Sequence, residues 1–394
     1  MIGALVLVAA YAGTVELSER TEVRARVVQG FPVAYDAVTT PTARALLSDR
    51  RWSYTASYSP TLSLQDLQAS VTPLVLNVGT LAAAWRERTA RLTLREDASY
   101  GSQNTAVVTL LAAAEGRPQA LQALPKPANI TTAQSRTTLA TEVRPSRRWR
   151  LNTTVGYNVS GGADASSRTV LPQQRGPFAD ATTAYALSKT EALTSWLSLV
   201  QNQFSSGPCV IPRATATVCA ARNEAALITA GWRHVVSRST ETSISAGASA
   251  VRTRLVETEG AVTHVYPAAT ASLTYRAGLG RHKATLRLEA QLAPVVDFRT
   301  GVTDNRAQST ASFVWREGDV TVSHSVGASR SFGTELSPPA TFLTVGSEAT
   351  YAMGRHAAVG AGALYSWQTS QNADAFSSAI VFVALTVRSA ALRF

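Results

Sequence analysis

Apolar and polar residues alternate with a period of two along most of the chain. In KATLRLEAQL, residues 283–292, every even position is Ala or Leu and every odd position is polar. RWRLNTTVGYNV, residues 148–159, is nearly as regular. Because successive side chains of a strand point to opposite faces, this pattern predicts strands with one apolar and one polar face.

The connections between these strands alternate between short and long. Short turns are predicted near 86–88, 145–147, 193–195, 237–239, 278–280, 317–319 and 354–356. Longer links are predicted at 59–75, 98–130, 160–180, 204–222, 254–263, 296–305, 330–340 and 370–377. This arrangement predicts an all-β, up-and-down antiparallel transmembrane barrel of about 16 strands, or 18 if the 98–130 link carries additional strands.

Five tryptophans mark the short-turn side of the predicted barrel. Each lies near a predicted short turn or opens the first strand: Trp52, Trp85, Trp149, Trp196 and Trp315. Indole rings favour the interface between membrane and water, so these residues are predicted to form an aromatic girdle.

Composition and charge agree with a membrane barrel and argue against nucleic acid as a partner. Charged residues make up 16% of the chain, mean hydropathy is +0.01, and the chain lacks the long apolar run of a membrane helix. The formal net charge is +11, and nearly all the cations are arginines placed singly along the sequence. Without a basic run or a recognition motif, we expect no nucleic-acid partner.

The first fifty residues are predicted to lie outside the barrel. MIGALVLVAAYAG ends in a small-x-small pattern, so residues 1–12 are predicted to be a signal peptide, truncated because no Lys or Arg precedes it; a buried strand is the alternative. Residues 13–50 are interpreted as a periplasmic lead-in and residues 51–394 as the barrel. Cys209 and Cys219 are expected to close a loop disulfide, since a metal site would need more ligands.

The polar face of each strand, formed by every second residue, is predicted to line a water-filled lumen, because a barrel of this size is too wide for side chains to fill. The candidate polymer or anion contacts are Arg91, Arg95, Arg136, Arg150, Arg276, Lys283, Arg287, Glu289, Arg306 and Glu348. Their basic excess favours anionic solutes or polymers. Alternatively, they pair with Asp or Glu on neighbouring strands, or meet lipid headgroups. The 98–130 loop either folds inward as a constriction or plug, or packs on the rim.

Catalytic motifs are missing from the sequence. It contains no G-x-S-x-G, H-E-x-x-H or phosphate-binding loop, and its five histidines are scattered. We therefore expect no enzymatic activity, no cofactor and no metal.

The C-terminal segment TVRSAALRF ends on Phe394 without a polar tail. With the loop alternation and the girdle, this resembles bacterial outer-membrane β-barrel proteins, whose last strand typically ends in an aromatic residue read by the assembly machinery. The resemblance implies an outer-membrane location, with outer-membrane lipids and the barrel assembly machinery as partners. It also implies that both chain ends are periplasmic.

A second resemblance concerns the cargo. RTEVRARV, DAVTTPTARALLSDRRWSYTASYSPTLSLQD and the weakly repetitive Ala/Ser/Thr/Arg strands are similar to barrels that accompany bacterial exopolysaccharide secretion systems. This implies an outer-membrane conduit for a polysaccharide, with a periplasmic polysaccharide-export protein contacting residues 13–50. The alternatives are a general or anion-preferring diffusion porin, and a structural or adhesive surface barrel.

Overall fold

Nearly all described residues of the computed structural model belong to one antiparallel sheet. The described residues are 12–67, 72–104, 129–205, 220–255, 261–279, 282–296, 303–333, 339–370 and 373–393. The strands are β1 (Ala12–Val28), β2 (Ala34–Ser48), β3 (Trp52–Tyr58), β4 (Thr61–Gln65), β5 (Thr72–Arg86), β6 (Ala90–Asn104), β7 (Asn129–Val143), β8 (Trp149–Gly162), β9 (Gln174–Ala186), β10 (Glu191–Phe204), β11 (Ala220–Val235), β12 (Thr240–Leu255), β13 (Ala261–Leu279), β14 (His282–Val296), β15 (Thr303–Glu317), β16 (Val320–Ser331), β17 (Ala340–Ala352), β18 (Ala357–Ser370), β19 (Ala373–Arg388) and β20 (Leu392–Arg393). One short helix, α1 (Ala165–Val170), lies between β8 and β9.

The sheet closes into a barrel because β1 pairs with both β2 and β19. β3 and β4 are two halves of one strand, since both pair with β2 on one side and β5 on the other. β20 only extends the pairing along β1. Eighteen strands therefore span the barrel in the described part of the chain, which confirms the predicted fold. Closure leaves no long unpaired edge, as a sheet inside a bilayer requires.

The interpretation of residues 13–50 as a periplasmic lead-in is wrong. Ala12–Val28 and Ala34–Ser48 are the first two barrel strands, and β1 forms the closing ladder from Ser18 opposite Arg388 to Val28 opposite Ser378. The physical reason is that β19 needs an antiparallel partner, and the alternating TVELSERTEVRARVV supplies it. These two strands raise the count from sixteen to eighteen, whereas residues 105–128 lie outside the described residues.

The short turns lie at one edge of the barrel, together with the start of β1 and the end of β19. Two contain glycines with positive φ, Gly318 (54°) and Gly354 (85°), a conformation that other residues rarely adopt. The turn expected at 193–195 lies instead at 187–190, where the Ser188 hydroxyl oxygen accepts hydrogen bonds from the backbone N–H groups of Thr190 and Glu191 (3.1 and 3.0 Å). This hydroxyl stabilises the turn before β10 begins.

The opposite edge carries the longer connections. There α1 is capped by Asp164, whose side chain accepts a hydrogen bond from the Ser167 N–H (2.7 Å). Three connections at this edge have five residues or fewer, at 29–33, 256–260 and 371–372, and the long link expected at 370–377 is mostly strand. Within the described residues, no helix combines the length and the apolar character needed to cross a bilayer.

Candidate functional site

Contacts between non-adjacent strands identify the interior face of the barrel. Arg20 on β1 donates to Glu348 on β17 (Nη2 to Oε1, 3.1 Å), reaching past β18 and β19. On another part of the wall, Leu227 of β11 and Ala293 of β14 belong to one apolar cluster. Side chains on the convex outer face diverge, so these contacts lie inside. Residues directly opposite in an antiparallel ladder share a face, which extends the assignment to every strand.

The exterior face is apolar over much of its height. Val265 is 72% exposed, and Leu81 and Ile228 are each 62% exposed. All three have the parity opposite to the interior residues of their strands. Large apolar side chains facing outward on a closed barrel form the band that contacts lipid, so the protein is an outer-membrane barrel.

Four of the five girdle tryptophans face outward near the short-turn edge: Trp52, Trp85, Trp149 and Trp315. The prediction for Trp196 is wrong. Because the turn ends at 190 and not 195, Trp196 lies inside β10 on the interior parity, where it packs against the apolar cluster and donates to Asp180 (Nε1 to Oδ1, 3.4 Å). Trp232 also faces outward, but it lies five residues from the turn predicted at 237–239, too far for proximity to a turn to have identified it.

All ten predicted lumen residues have the interior parity of their strands. Their role in contacting a polymer or anion stays a prediction. In the described strands, the interior cations are Arg20, Arg24, Arg26, Arg44, Arg86, Arg91, Arg95, Arg136, Arg150, Arg233, Arg276, Lys283, Arg287, Arg306, Arg316, Arg388 and Arg393. The interior carboxylates are Glu16, Glu22, Asp36, Asp97, Glu142, Asp180, Glu241, Glu289, Asp304 and Glu348. The interior face therefore has a basic excess.

Many interior cations are paired, as the alternative interpretation of these residues expected. Arg95 contacts Asp97 (2.6 Å), Arg150 contacts Glu142 (3.2 Å) and Arg287 contacts Glu289 (2.5 Å).

Two further predicted residues have partners of other kinds. The Arg136 guanidinium lies 4.6 Å from the centre of the Phe178 ring, a cation–π contact between β7 and β9 across β8. Arg91 lies directly opposite Glu142. These interactions hold part of the positive charge against the wall.

An ionic network of four side chains lies at the barrel seam. Glu22 bridges Arg20 and Arg24, at 2.5 Å to each, while Arg20 also reaches Glu348. They line a cavity of about 460 Å³. The three β1 residues were not predicted, because they fall in the segment interpreted as a periplasmic lead-in, although their alternation with Val23 and Ala25 indicates a strand.

Small residues make room for this network. Gly362 on β18 has no space for a side chain, since an added Cβ would lie 2.6 Å from the Phe382 ring and 2.7 Å from the carbonyl oxygen of Ser347. Glycine at this point lets aromatic and charged side chains from both neighbouring strands fold over the wall. The seam is thus packed more closely than an empty channel wall.

The remaining expectations concern metal binding, the disulfide, the C-terminal assembly signal and the signal peptide. Among the described residues, no group of three His, Cys, Asp or Glu side chains is arranged to hold a metal. Cys209, Cys219 and Phe394 lie outside the described residues, as do residues 1–11. The disulfide, the assembly signal and the signal peptide stay predictions.

Comparison with solved structures finds other outer-membrane proteins. The outer-membrane protein OpdK of Pseudomonas aeruginosa is 11% identical, with a TM-score of 0.47, and the match covers 96% of this chain and 99% of that one. OccK2 (OpdF) of P. aeruginosa, solved in complex with glucuronate, is 12% identical with a TM-score of 0.47 (96% and 98% covered). OccAB4 of Acinetobacter baumannii is 8% identical with a TM-score of 0.46 (96% and 98% covered).

Sequence comparison gives the family. Among proteins of curated function, none is similar in sequence to this chain. The model of the EpsX exopolysaccharide export family, however, matches residues 6–392, nearly the whole sequence and both strands of the first hairpin. This match confirms the resemblance to barrels of exopolysaccharide secretion, and the chain belongs to the EpsX exopolysaccharide export family.

Proposed function

We propose that this outer-membrane channel is the conduit through which an exopolysaccharide crosses the outer membrane. The observation that carries the proposal is a closed eighteen-strand barrel with a polar, charged interior, in a chain of an exopolysaccharide export family. Barrels of sixteen to eighteen strands leave an aqueous channel, and a hydrated polysaccharide requires one. Transport is passive and needs no cofactor, and the protein is not an enzyme.

In this proposal the short-turn edge, with both chain ends, faces the periplasm. Outer-membrane barrels have short periplasmic turns and longer external loops, which supports this orientation. The exterior tryptophans near the short turns would then lie at the inner-leaflet headgroups. The partners we propose are outer-membrane lipids, the barrel assembly machinery and a periplasmic polysaccharide-export protein that docks at the short-turn mouth.

Surface and periplasmic exopolysaccharide, quantified after gene deletion and after complementation, test the conduit. We expect surface polymer to fall and periplasmic polymer to accumulate, with both restored by complementation. Unchanged surface polymer in the deletion strain would contradict the proposal.

A sharper version blocks the lumen chemically. In a Cys209→Ser, Cys219→Ser background, Thr285→Cys places a thiol on the interior of β14, and Leu286→Cys places one on the exterior of the same strand. A bulky thiol reagent should stop export through the interior variant and leave the exterior variant active. Equal effects on both would argue against a luminal route.

An anion-preferring diffusion porin is the second candidate, favoured by the basic excess of the interior. Replacing Arg150, Lys283 and Arg287 with Gln should shift ion selectivity towards cations, measured as the reversal potential in planar bilayers. A porin would show this shift while its deletion left surface polymer unchanged, which separates the two functions.

A further inference from the structure

Three interior cations lie side by side on adjacent strands at the short-turn mouth: Arg276 on β13, Lys283 on β14 and Arg316 on β15. Lys283 lies directly opposite Arg316, and Arg276 lies opposite Thr285, two residues from Lys283. In an antiparallel sheet, opposed side chains have Cβ atoms about 5 Å apart and diagonal ones about 7 Å apart. All three residues are exposed, so their charged groups face the water of the lumen.

These cations have no carboxylate partner in the described part of the chain. The carboxylates on nearby strands are engaged elsewhere: Glu289 with Arg287 (2.5 Å) and Glu241 with Arg233 (2.8 Å). Glu317 lies on the exterior parity, 3.4 Å from His282.

The mouth has one other directly opposed like-charge pair in its described strands, Arg86 and Arg91. It differs because Arg91 also faces Glu142. Like charges directly opposed destabilise a sheet. The cluster of Arg276, Lys283 and Arg316 carries this cost without an internal counter-charge, and a bound anion would remove it.

Lipid headgroups are poorly placed to supply that anion. Tyr275 and Trp315 precede two of the cations and have the opposite parity, so they face the membrane at the same level. The aromatic side chains thus meet the lipid interface while the cations point into the lumen.

We propose that Arg276, Lys283 and Arg316 form an anion-binding site that takes the carboxylate groups of an acidic polysaccharide as it enters the barrel. The proposal rests on the proposed export function and adds the class of polymer and the place of first contact. Guanidinium groups bind carboxylates through a planar, two-pronged donor set, and an exposed site releases them readily. Reversible binding at the mouth is what conduction requires.

Block of ion conductance tests the site. The purified full-length chain is placed in planar bilayers, and oligogalacturonate of ten sugars is added to each compartment in turn, with a maltodextrin of equal length as the uncharged probe. We expect the acidic probe to block at lower concentration from the short-turn side and less strongly as salt is raised. The Arg276→Gln, Lys283→Gln, Arg316→Gln variant should weaken that block about tenfold.

A matched control removes the same charge elsewhere. Arg252→Gln, Arg254→Gln, Arg330→Gln takes three exposed arginines from the exterior parity towards the long-loop edge, so net charge changes equally. Block should be unchanged in this variant. An equal loss of block in both variants, or equal block by the uncharged probe, would overturn the site. Loss of block when anionic bilayers are replaced by zwitterionic ones would assign the anion to lipid and overturn it too.

Cell experiments separate this site from the conduit proposal. If deletion abolishes surface polymer but the lumen variant exports normally and is blocked normally, the conduit stands and the anion site fails. If deletion leaves surface polymer unchanged while block depends on the three cations, the anion site stands and the export function fails.

Discussion

Replacing Asp36 with Ala tests whether the first hairpin is an integral part of the barrel. The Asp36 side chain is 2% exposed, and its Oδ2 accepts a hydrogen bond from Arg26 Nε at 3.1 Å. Its Oδ1 accepts a second hydrogen bond from the backbone N–H of Asp66 at 3.2 Å. One carboxylate therefore ties together β1, β2 and the residue that follows β4.

The expected cost follows from burial. Arg26 is only 11% exposed, so its guanidinium cannot regain water when its partner is removed. Breaking a buried ion pair from one side costs about 3–5 kcal/mol. Asp36→Asn keeps a neutral oxygen acceptor for the Asp66 N–H, and since such a hydrogen bond contributes about 0.5–1.5 kcal/mol, it should cost less than Asp36→Ala by about that amount. Replacing both partners, as Arg26→Met with Asp36→Leu, leaves no buried charge unpaired and should cost less than Asp36→Ala, the remaining cost being the lost acceptor of the Asp66 N–H.

Urea unfolding of the refolded barrel in lipid vesicles measures these differences, followed by tryptophan fluorescence and by heat-dependent mobility on gels. Asp319→Ala, at an exposed turn, is the control and should change stability by less than about 0.5 kcal/mol. If Asp36→Ala unfolds at the same urea concentration as the native chain, the buried pair contributes nothing to barrel stability and the reasoning from its burial is refuted.

Three further predictions test other parts of the structure. Gly362→Val should destabilise the barrel by about 1–3 kcal/mol, because its Cβ would meet a fixed backbone oxygen at 2.7 Å, and an unchanged urea midpoint would contradict this. The pKa of Asp164 is lowered from 3.8 to about 2, first by the hydrogen bond that its carboxylate accepts from the Ser166 hydroxyl and then by the one from the Ser167 backbone N–H. Since the folded pKa is depressed, its capping of α1 is complete above about pH 4 and is lost as pH falls through 2; amide exchange of α1, compared with an Asp164→Ala variant, should converge there. Trp196→Phe should leave the quenching of tryptophan fluorescence by brominated lipid unchanged, whereas Trp149→Phe should reduce it. The opposite result would show that Trp196 faces lipid and Trp149 faces the lumen.

The faces of the strands were predictable because parity is a local property. A residue and its second neighbour share a side whatever the strand pairs with, so Lys283, Arg287 and Glu289 could be placed together inside without any knowledge of the fold. The same rule fails where a turn is misplaced. The turn was predicted at 193–195 but lies at 187–190, and this error placed Trp196 in the predicted girdle. The leucines on the odd positions of β10 already indicated that the even positions, Trp196 among them, face inward.

Closure of the barrel was not predictable from local pattern. β1 alternates as regularly as any later strand, but its role depends on pairing with β19, more than 300 residues away. The alternation within TVELSERTEVRARVV indicates a strand, but it does not show that this strand closes the barrel. The ion pair between Arg20 and Glu348 was not predictable for the same reason, because the two residues are 328 positions apart in the sequence.

Under the proposed export function, the distribution of interior charge determines where an acidic polymer first binds. At the seam, Glu22 and Glu348 neutralise the arginines around them, so a passing anion meets paired charges that are already satisfied. At the short-turn mouth, Lys283 and Arg316 oppose each other without a carboxylate. In that proposal an acidic chain would bind more strongly to the unpaired cations at the short-turn mouth than to the paired ones on the seam wall. Since conduction requires binding that is favourable at the entrance and weak enough to allow exit, this order of unpaired and then paired cations suits outward movement of an acidic polymer from the short-turn side.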